Sequence, residues 1–211
     1  MPEWDDYYAT RFQFDSRRRL VWECLCEWLQ PEIPDKGAVL ELGAGYCDFI
    51  NQIRAAKKVA VDLASGVTKA ADKDVQTHVG SCAELGFLSN ETMDVVFASN
   101  LLEHLSLEIG VQTLREAWRV LKPGGKLIVM QPNFRYSYRD YFDDYTHVSI
   151  YTDTSLPDVI RLAGFEIKKV VPRFMPFSMK GGLPVARWLI RLYLRSPIRP
   201  NAGQMLIIAN K

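Results

Sequence analysis

The five residues Ala38-Val-Leu-Glu-Leu42 run straight into Gly43-Ala-Gly45, and no other feature constrains the fold of this chain as much. A short, mostly apolar run bounded by turn residues reads as a buried strand. Glycine lets the turn tighten and leaves no side chain between the backbone N–H groups and a ligand. Asp48 to Ala56 then reads as a helix. Strand, glycine turn and helix in that order suit a parallel sheet, whose neighbouring strands need a crossover between them.

The same alternation continues to the end of the chain. Lys58–Asp62, Gln76–Gly80, Met93–Ala98 and Lys126–Met130 read as strands two to five, with a helix from Leu107 to Leu121 and a Pro123-Gly124-Gly125 turn before the fifth. Thr154–Leu162 is the next helix, stopped by Gly164; Phe165–Val171 is strand six and Gln204–Ala209 the closing strand. Ahead of the first strand, residues 15–29 place Leu20, Trp22, Leu25, Trp28 and Leu29 at helical spacing until Pro31 and Pro34 stop the helix. This pattern predicts an α/β fold, a Rossmann-like, mostly parallel sheet with helices on both faces.

At 211 residues, with 48% hydrophobic and 24% charged side chains, the chain can bury one substantial core. We expect a single domain over 1–211, comprising a helical cap (1–35), an irregular loop (132–153) and a basic helical insertion (175–203). The formal net charge of +1 gives no global reason to expect nucleic-acid binding. From Arg161 to Arg199, however, nine basic residues stand against the single acid Glu166. Cys24, Cys26, Cys47 and Cys82 lack metal or redox spacing and read as reduced, packed thiols. With an acidic, polar start and no long apolar run, a cytoplasmic location is expected.

A Gly-x-Gly turn alone leaves two nucleoside cofactors open, a dinucleotide and S-adenosylmethionine. Both want an acid at the end of the next strand to accept ribose hydroxyls, and Asp62 stands there, 19 residues after Gly43. The dinucleotide fingerprint needs a third glycine where this chain has Asp48. A carboxylate there is an unwelcome neighbour for a diphosphate, and Glu41 suits a ligand with a cationic amino-acid end. S-adenosylmethionine is therefore the expected cofactor.

Five ordered segments then resemble the class I S-adenosylmethionine-dependent methyltransferases: Val39–Gly45, Val61-Asp62, Gly80-Ser-Cys-Ala-Glu-Leu85, Asp94–Leu105 and Leu121–Leu127. The resemblance implies a seven-stranded sheet with a reversed last strand. It implies that Glu41, Gly43, Ala44 and Gly45 meet the methionine end, Asp62 and Leu63 the ribose, and Ser81, Cys82 and Ala83 the adenine, with Asn100 and Leu101 flanking the methionine portion. Many relatives carry an acid where Ser81 stands.

Methyl transfer from a sulfonium needs mainly alignment and exclusion of water. A hydroxyl acceptor must also lose its proton, so a base within reach is sought. His104 and His147 both follow strands whose C-terminal ends should face the cofactor, and with Asp144 they are the candidate catalytic residues. Asp143, Asp144 and His147 also raise a metal site, but their spacing supports it weakly and no metal is expected.

Pro132 to Asp153 loses all periodicity and carries seven Phe or Tyr residues. Loops of that length usually have a function. It is similar to a subgroup of methyltransferases associated with bacterial polysaccharide and glycolipid synthesis. Arg135, Tyr138, Tyr141, Asp143 and Tyr145 are the expected substrate contacts, since ring faces beside polar groups suit sugars. The expected acceptor is a glycan, glycolipid or other small molecule; a quinone methyltransferase and a non-catalytic binding module are the alternatives. Arg187, Arg191 and Arg195 form one stripe on the apolar helix Leu183–Arg195, through which residues 183–199 could touch an anionic inner membrane surface or pack within the fold. The chain is expected to be a monomer or a homodimer.

Overall fold

The computed structural model describes residues 16–176 and 186–211. Seven strands form one sheet in the order β3-β2-β1-β4-β5-β7-β6. They are β1 (Ala38–Leu42), β2 (Lys57–Asp62), β3 (Val75–Val79), β4 (Met93–Ser99), β5 (Leu121–Pro132), β6 (Glu166–Pro176) and β7 (Ala202–Asn210). The first five pair in parallel, whereas β7 lies antiparallel to both β5 and β6. This is the seven-stranded, Rossmann-like sheet with a reversed last strand.

β1 is buried at every position because β2 and β4 flank it and helices cover both faces. Alternation along the strand sends Leu40 and Leu42 to one core and Val39 to the other. The first core contains Val96, Leu127 and Leu114 of α3 (Leu107–Val120), with Leu156 and Ile160 of α5 (Ser155–Leu162). The second holds Phe97, Ile128 and Phe49 against α1 (Ser16–Leu29) and Leu194 of α6 (Arg187–Arg195). α3 begins where the Ser106 hydroxyl accepts the Ile109 N–H at 3.4 Å, and it buries Gly110, Thr113, Leu114, Ala117 and Val120 on one helical face. Two single-turn helices complete the set, α2 (Val67–Ala70) and α4 (Phe134–Ser137).

Four expectations change. The helix predicted over Asp48–Ala56 is instead a run of turns, with N–H to C=O bonds from Asn51 to Cys47 and from Ile53 to Phe49. The helical ladder is interrupted because the Ile50 N–H donates to the Glu41 carboxylate at 3.0 Å and Cys47 adopts φ +57°. β5 starts at Leu121 and absorbs the Pro-Gly-Gly turn as an irregularity in its pairing with β4. β6 runs on to Pro176. The helix expected over Leu183–Arg195 is seen from Arg187 to Arg195, and residues 183–185 and the first fifteen residues of the predicted cap lie outside the described residues.

Strand order reverses between β1 and β4, where one chain direction leads to β2 and the other to β5. A crevice opens there beyond the carboxyl ends of the strands.

Candidate active site

The Gly43 turn lies at the mouth of this crevice. Gly43 has φ +63° and Gly45 φ +55°, and a Cβ on Gly43 would sit 2.9 Å from Leu101 Cδ1. The backbone conformation therefore favours glycine at position 43, and any side chain there would push the end of Leu101 aside. The Gly45 N–H donates to Asp62 Oδ2 at 2.8 Å and the Ala64 N–H to Oδ1 at 2.8 Å. Asp62 thus holds the turn in shape through both of its carboxylate oxygens.

The crevice is lined by Glu41, Gly43, Ala44, Gly45, Asp62, Leu63, Cys82, Asn100 and Leu101 among others. Nine of the eleven expected cofactor residues thus share one wall system. Ser81 and Ala83 stand beside it, joined by a bond from the Ala83 N–H to Ser81 Oγ at 3.2 Å. Glu41 is buried, and burial holds its carboxyl well above the usual range while the Ile50 N–H opposes that shift. Asn100 adopts φ +49° and accepts from Gln204 Nε2 at 3.2 Å, which ties the end of β4 to β7.

Arg18, Trp22 and Tyr46 also line the crevice, and sequence reasoning did not find them. Arg18 reaches over from α1 to Asp48 at 2.7 Å. Asp48 is therefore an ion-paired side chain and not a bare charge facing the ligand.

His104 lines the same crevice, at the end of a 3-10 turn from Leu102 to His104 that follows β4. The 132–153 loop is pinned to this turn by its backbone: the Val148 and Ser149 N–H groups both donate to the Glu103 carbonyl, at 2.9 and 3.1 Å. Ser149 Oγ donates to the Leu105 carbonyl at 2.6 Å. That docking brings the His147 ring to 4.8 Å from the His104 ring.

Thr146 Oγ1 lies 2.8 Å from His104 Nδ1 and 2.6 Å from Asp144 Oδ1. With Asp144 ionised, the Thr146 hydroxyl donates to it and accepts from His104 Nδ1–H. His147 Nδ1 is 2.6 Å from the Tyr141 carbonyl, which can only accept. Burial, with His147 next to it, pushes His104 down to about 4, against the pull of Asp144. Glu103 is fully buried, and burial pushes it up to about 8. The three expected catalytic residues thus converge, and Thr146 and Glu103 join them. Glu103 stands beside His104 in the sequence, but only the fold shows that it turns inward.

The expected substrate residues divide. Tyr138, Asp143 and Tyr145 are exposed on the loop, and so is Arg135, which bonds to Asp153 at 3.2 Å. Tyr141 does not join them. It is fully buried, donates its hydroxyl to the Ser149 carbonyl and packs edge-on against Phe134, so its role is to hold the loop. Asp143 is not in the histidine cluster either, which removes the metal grouping that its spacing had raised.

On α6, Arg187 pairs with Glu23 and Glu27, and Arg191 with Glu27, which ties part of the basic stripe to α1. No helix among the described residues is long and apolar enough to cross a membrane. All four cysteines are unpaired and buried.

Residues 40–129 match the family model of a methyltransferase domain. The fold is that of S-adenosylmethionine-dependent methyltransferases. A ubiquinone/menaquinone biosynthesis C-methyltransferase, UbiE, from Dinoroseobacter shibae is 27% identical over 123 residues, covering 53% of this chain and 48% of that protein. The corresponding protein of Roseobacter denitrificans is 25% identical over 124 residues, covering 54% of this chain and 48% of that protein. The chain thus spans about half the length of the curated relatives it matches. Among solved structures, an S-adenosylmethionine-dependent methyltransferase from Archaeoglobus fulgidus superposes with a TM-score of 0.70 at 21% identity, covering all of both chains. One from Mesorhizobium loti gives a TM-score of 0.63 at 16% identity over 88% of this chain and 98% of that one. The methyltransferase fold thereby accounts for the reversed β7 and for the crevice at the β1/β4 switch.

Proposed function

We propose that this chain is an enzyme that transfers the methyl group of S-adenosylmethionine to a hydroxyl-bearing small molecule. The observation that carries this reading is the continuity of one crevice. Glu41, the glycine turn and Asp62 line it at one end, and His104 lines the same wall with His147 and Asp144 behind it. Donor and acceptor chemistry are thereby adjacent.

In this reading the cofactor's cationic methionine end lies against Glu41 and the glycine turn, and its ribose hydroxyls donate to Asp62. The acceptor oxygen approaches the methyl carbon in line with the breaking sulfur–carbon bond, and the histidine cluster is where its O–H is activated. The exposed Tyr138 and Tyr145 with Arg135 form the acceptor's other wall. Rings beside polar groups favour a sugar hydroxyl of a glycan or lipid-linked intermediate. A second acceptor, a quinol ring, is favoured by the two relatives that act in ubiquinone and menaquinone biosynthesis.

Methyl-labelled S-adenosylmethionine offered with nucleotide sugars, short glycolipids and demethylated quinols tests both acceptors. Label in an organic product confirms the enzyme and names the acceptor class. S-adenosylhomocysteine release by none of them, from a protein that also fails to bind the cofactor, overturns the reading.

A further inference from the structure

Glu103 is fully buried, yet neither of its carboxylate oxygens has a hydrogen-bond partner. Buried carboxylates are normally paired, hydrogen-bonded or bound to a cation, because losing water without compensation is costly. Its neighbours are two imidazoles. One ligand atom each from Glu103, His104 and His147 lies within 4.8 Å of the others.

The protons on those imidazoles are already directed. His147 Nδ1–H is spent on the Tyr141 carbonyl at 2.6 Å, and His104 Nδ1–H on Thr146 Oγ1 at 2.8 Å, which is backed by Asp144. In both rings the lone pair therefore sits on Nε2. Metal-bound histidines show this second layer, with the far ring nitrogen held by a carbonyl or a carboxylate relay.

We infer that Glu103, His104 Nε2 and His147 Nε2 form a binding site for a divalent first-row transition cation. Two imidazoles and one carboxylate suit manganese, iron, cobalt or zinc, and they leave coordination positions open. His104 lines the donor crevice, so an open position faces the space assigned above to the acceptor. There the cation has a defined task, which rests on the methyltransferase reading. It binds the acceptor hydroxyl and lowers its pKa, and the O–H proton leaves to solvent. The oxygen then forms the bond to the methyl carbon as the carbon–sulfur bond breaks, and the sulfonium becomes a neutral thioether. The weak spacing of Asp143, Asp144 and His147 had pointed away from a metal; in the fold Glu103 replaces Asp143, and Asp144 moves to the second layer.

The test is a titration of the chelator-stripped full chain with cobalt(II), read by visible d–d absorption. S-adenosylhomocysteine binding is measured calorimetrically on the same protein. The wild type should bind one cobalt per chain with the spectrum of mixed nitrogen and oxygen ligation. Glu103→Gln should lose stoichiometric binding while its melting temperature holds, since the amide has nearly the shape of the carboxyl it replaces. Thr146→Val should weaken binding by roughly tenfold through the second layer, and Thr146→Ser should restore it. No cobalt binding by the wild type, or equal binding by Glu103→Gln, overturns the site. S-adenosylhomocysteine binding without cobalt binding rejects the metal alone, whereas cobalt binding without S-adenosylhomocysteine binding rejects the methyltransferase reading and leaves the metal site standing.

Discussion

The Gly45 N–H donates to Asp62 Oδ2 across 2.8 Å, joining the turn after β1 to the end of β2. One carboxylate thereby shapes the turn proposed above to receive the methionine end, and the same group is the one proposed to meet the ribose hydroxyls. Each residue of this pair depends on the other. Asp62→Asn leaves an amide in place of an acceptor-only group and should lower affinity for S-adenosylhomocysteine while moving the turn.

Gly43→Ala puts a methyl 2.9 Å from Leu101 Cδ1 and forces alanine to φ +63°. A left-handed conformation costs a residue with a Cβ about 1–2 kcal/mol, and the clash adds to it. Thermal unfolding should show a loss of at least that size. Calorimetry should show weaker S-adenosylhomocysteine binding, because the strained turn moves its backbone N–H groups away from the ligand.

Glu41 links cofactor binding to pH. Its carboxyl is held above the usual range by burial, against the Ile50 N–H. A cationic ligand end beside it favours the carboxylate, so binding should release a proton. Affinity should rise with pH between the ordinary glutamate value and the raised one, and flatten above it. Calorimetry in two buffers of different ionisation heat measures the released proton, and Glu41→Gln should remove it.

The two tyrosines of the loop should separate cleanly. Tyr141→Phe deletes the bond to the Ser149 carbonyl and should cost about 0.5–1.5 kcal/mol, and Tyr141→Ala about 3–5 kcal/mol, by denaturant unfolding. Tyr145 is exposed, so Tyr145→Ala should stay within about 0.5 kcal/mol and act on the acceptor's KM.

Arg119 binds the Leu85 and Leu88 carbonyls, Asn90 and Glu116, and so fixes the segment after residues 81–83 onto α3. Its hydrogen bonds to Glu116 lower that carboxyl despite burial. A lowered folded value means stability present above the unfolded pKa and lost as pH falls through the folded one. The melting-temperature gap between wild type and Glu116→Gln should therefore shrink from neutral pH toward roughly pH 3.

The sheet was readable from its apolar runs. The predicted and observed limits of β1 agree, because a central strand is buried on both faces and its run ends at glycine. The breaking of the helix expected after the glycine turn was not readable, since Glu41, nine residues away, takes the Ile50 N–H that a helix would have used. His104 and His147 were singled out by position alone. What unites them is a pair of backbone bonds to the Glu103 carbonyl, and backbone bonds carry no side-chain signature. For Arg187 and Arg191 the sequence left membrane contact and packing within the fold both open, because Glu23 and Glu27, their partners on α1, lie more than 150 residues earlier.

The central claim is that the β1/β4 crevice binds S-adenosylmethionine. Calorimetric titration of the wild-type chain with S-adenosylhomocysteine and, separately, with NAD tests it most directly. The account predicts one S-adenosylhomocysteine bound per chain, weaker binding in Gly43→Ala, and none of NAD. Saturable NAD binding at the same crevice, or no S-adenosylhomocysteine binding by a folded wild type, would contradict it.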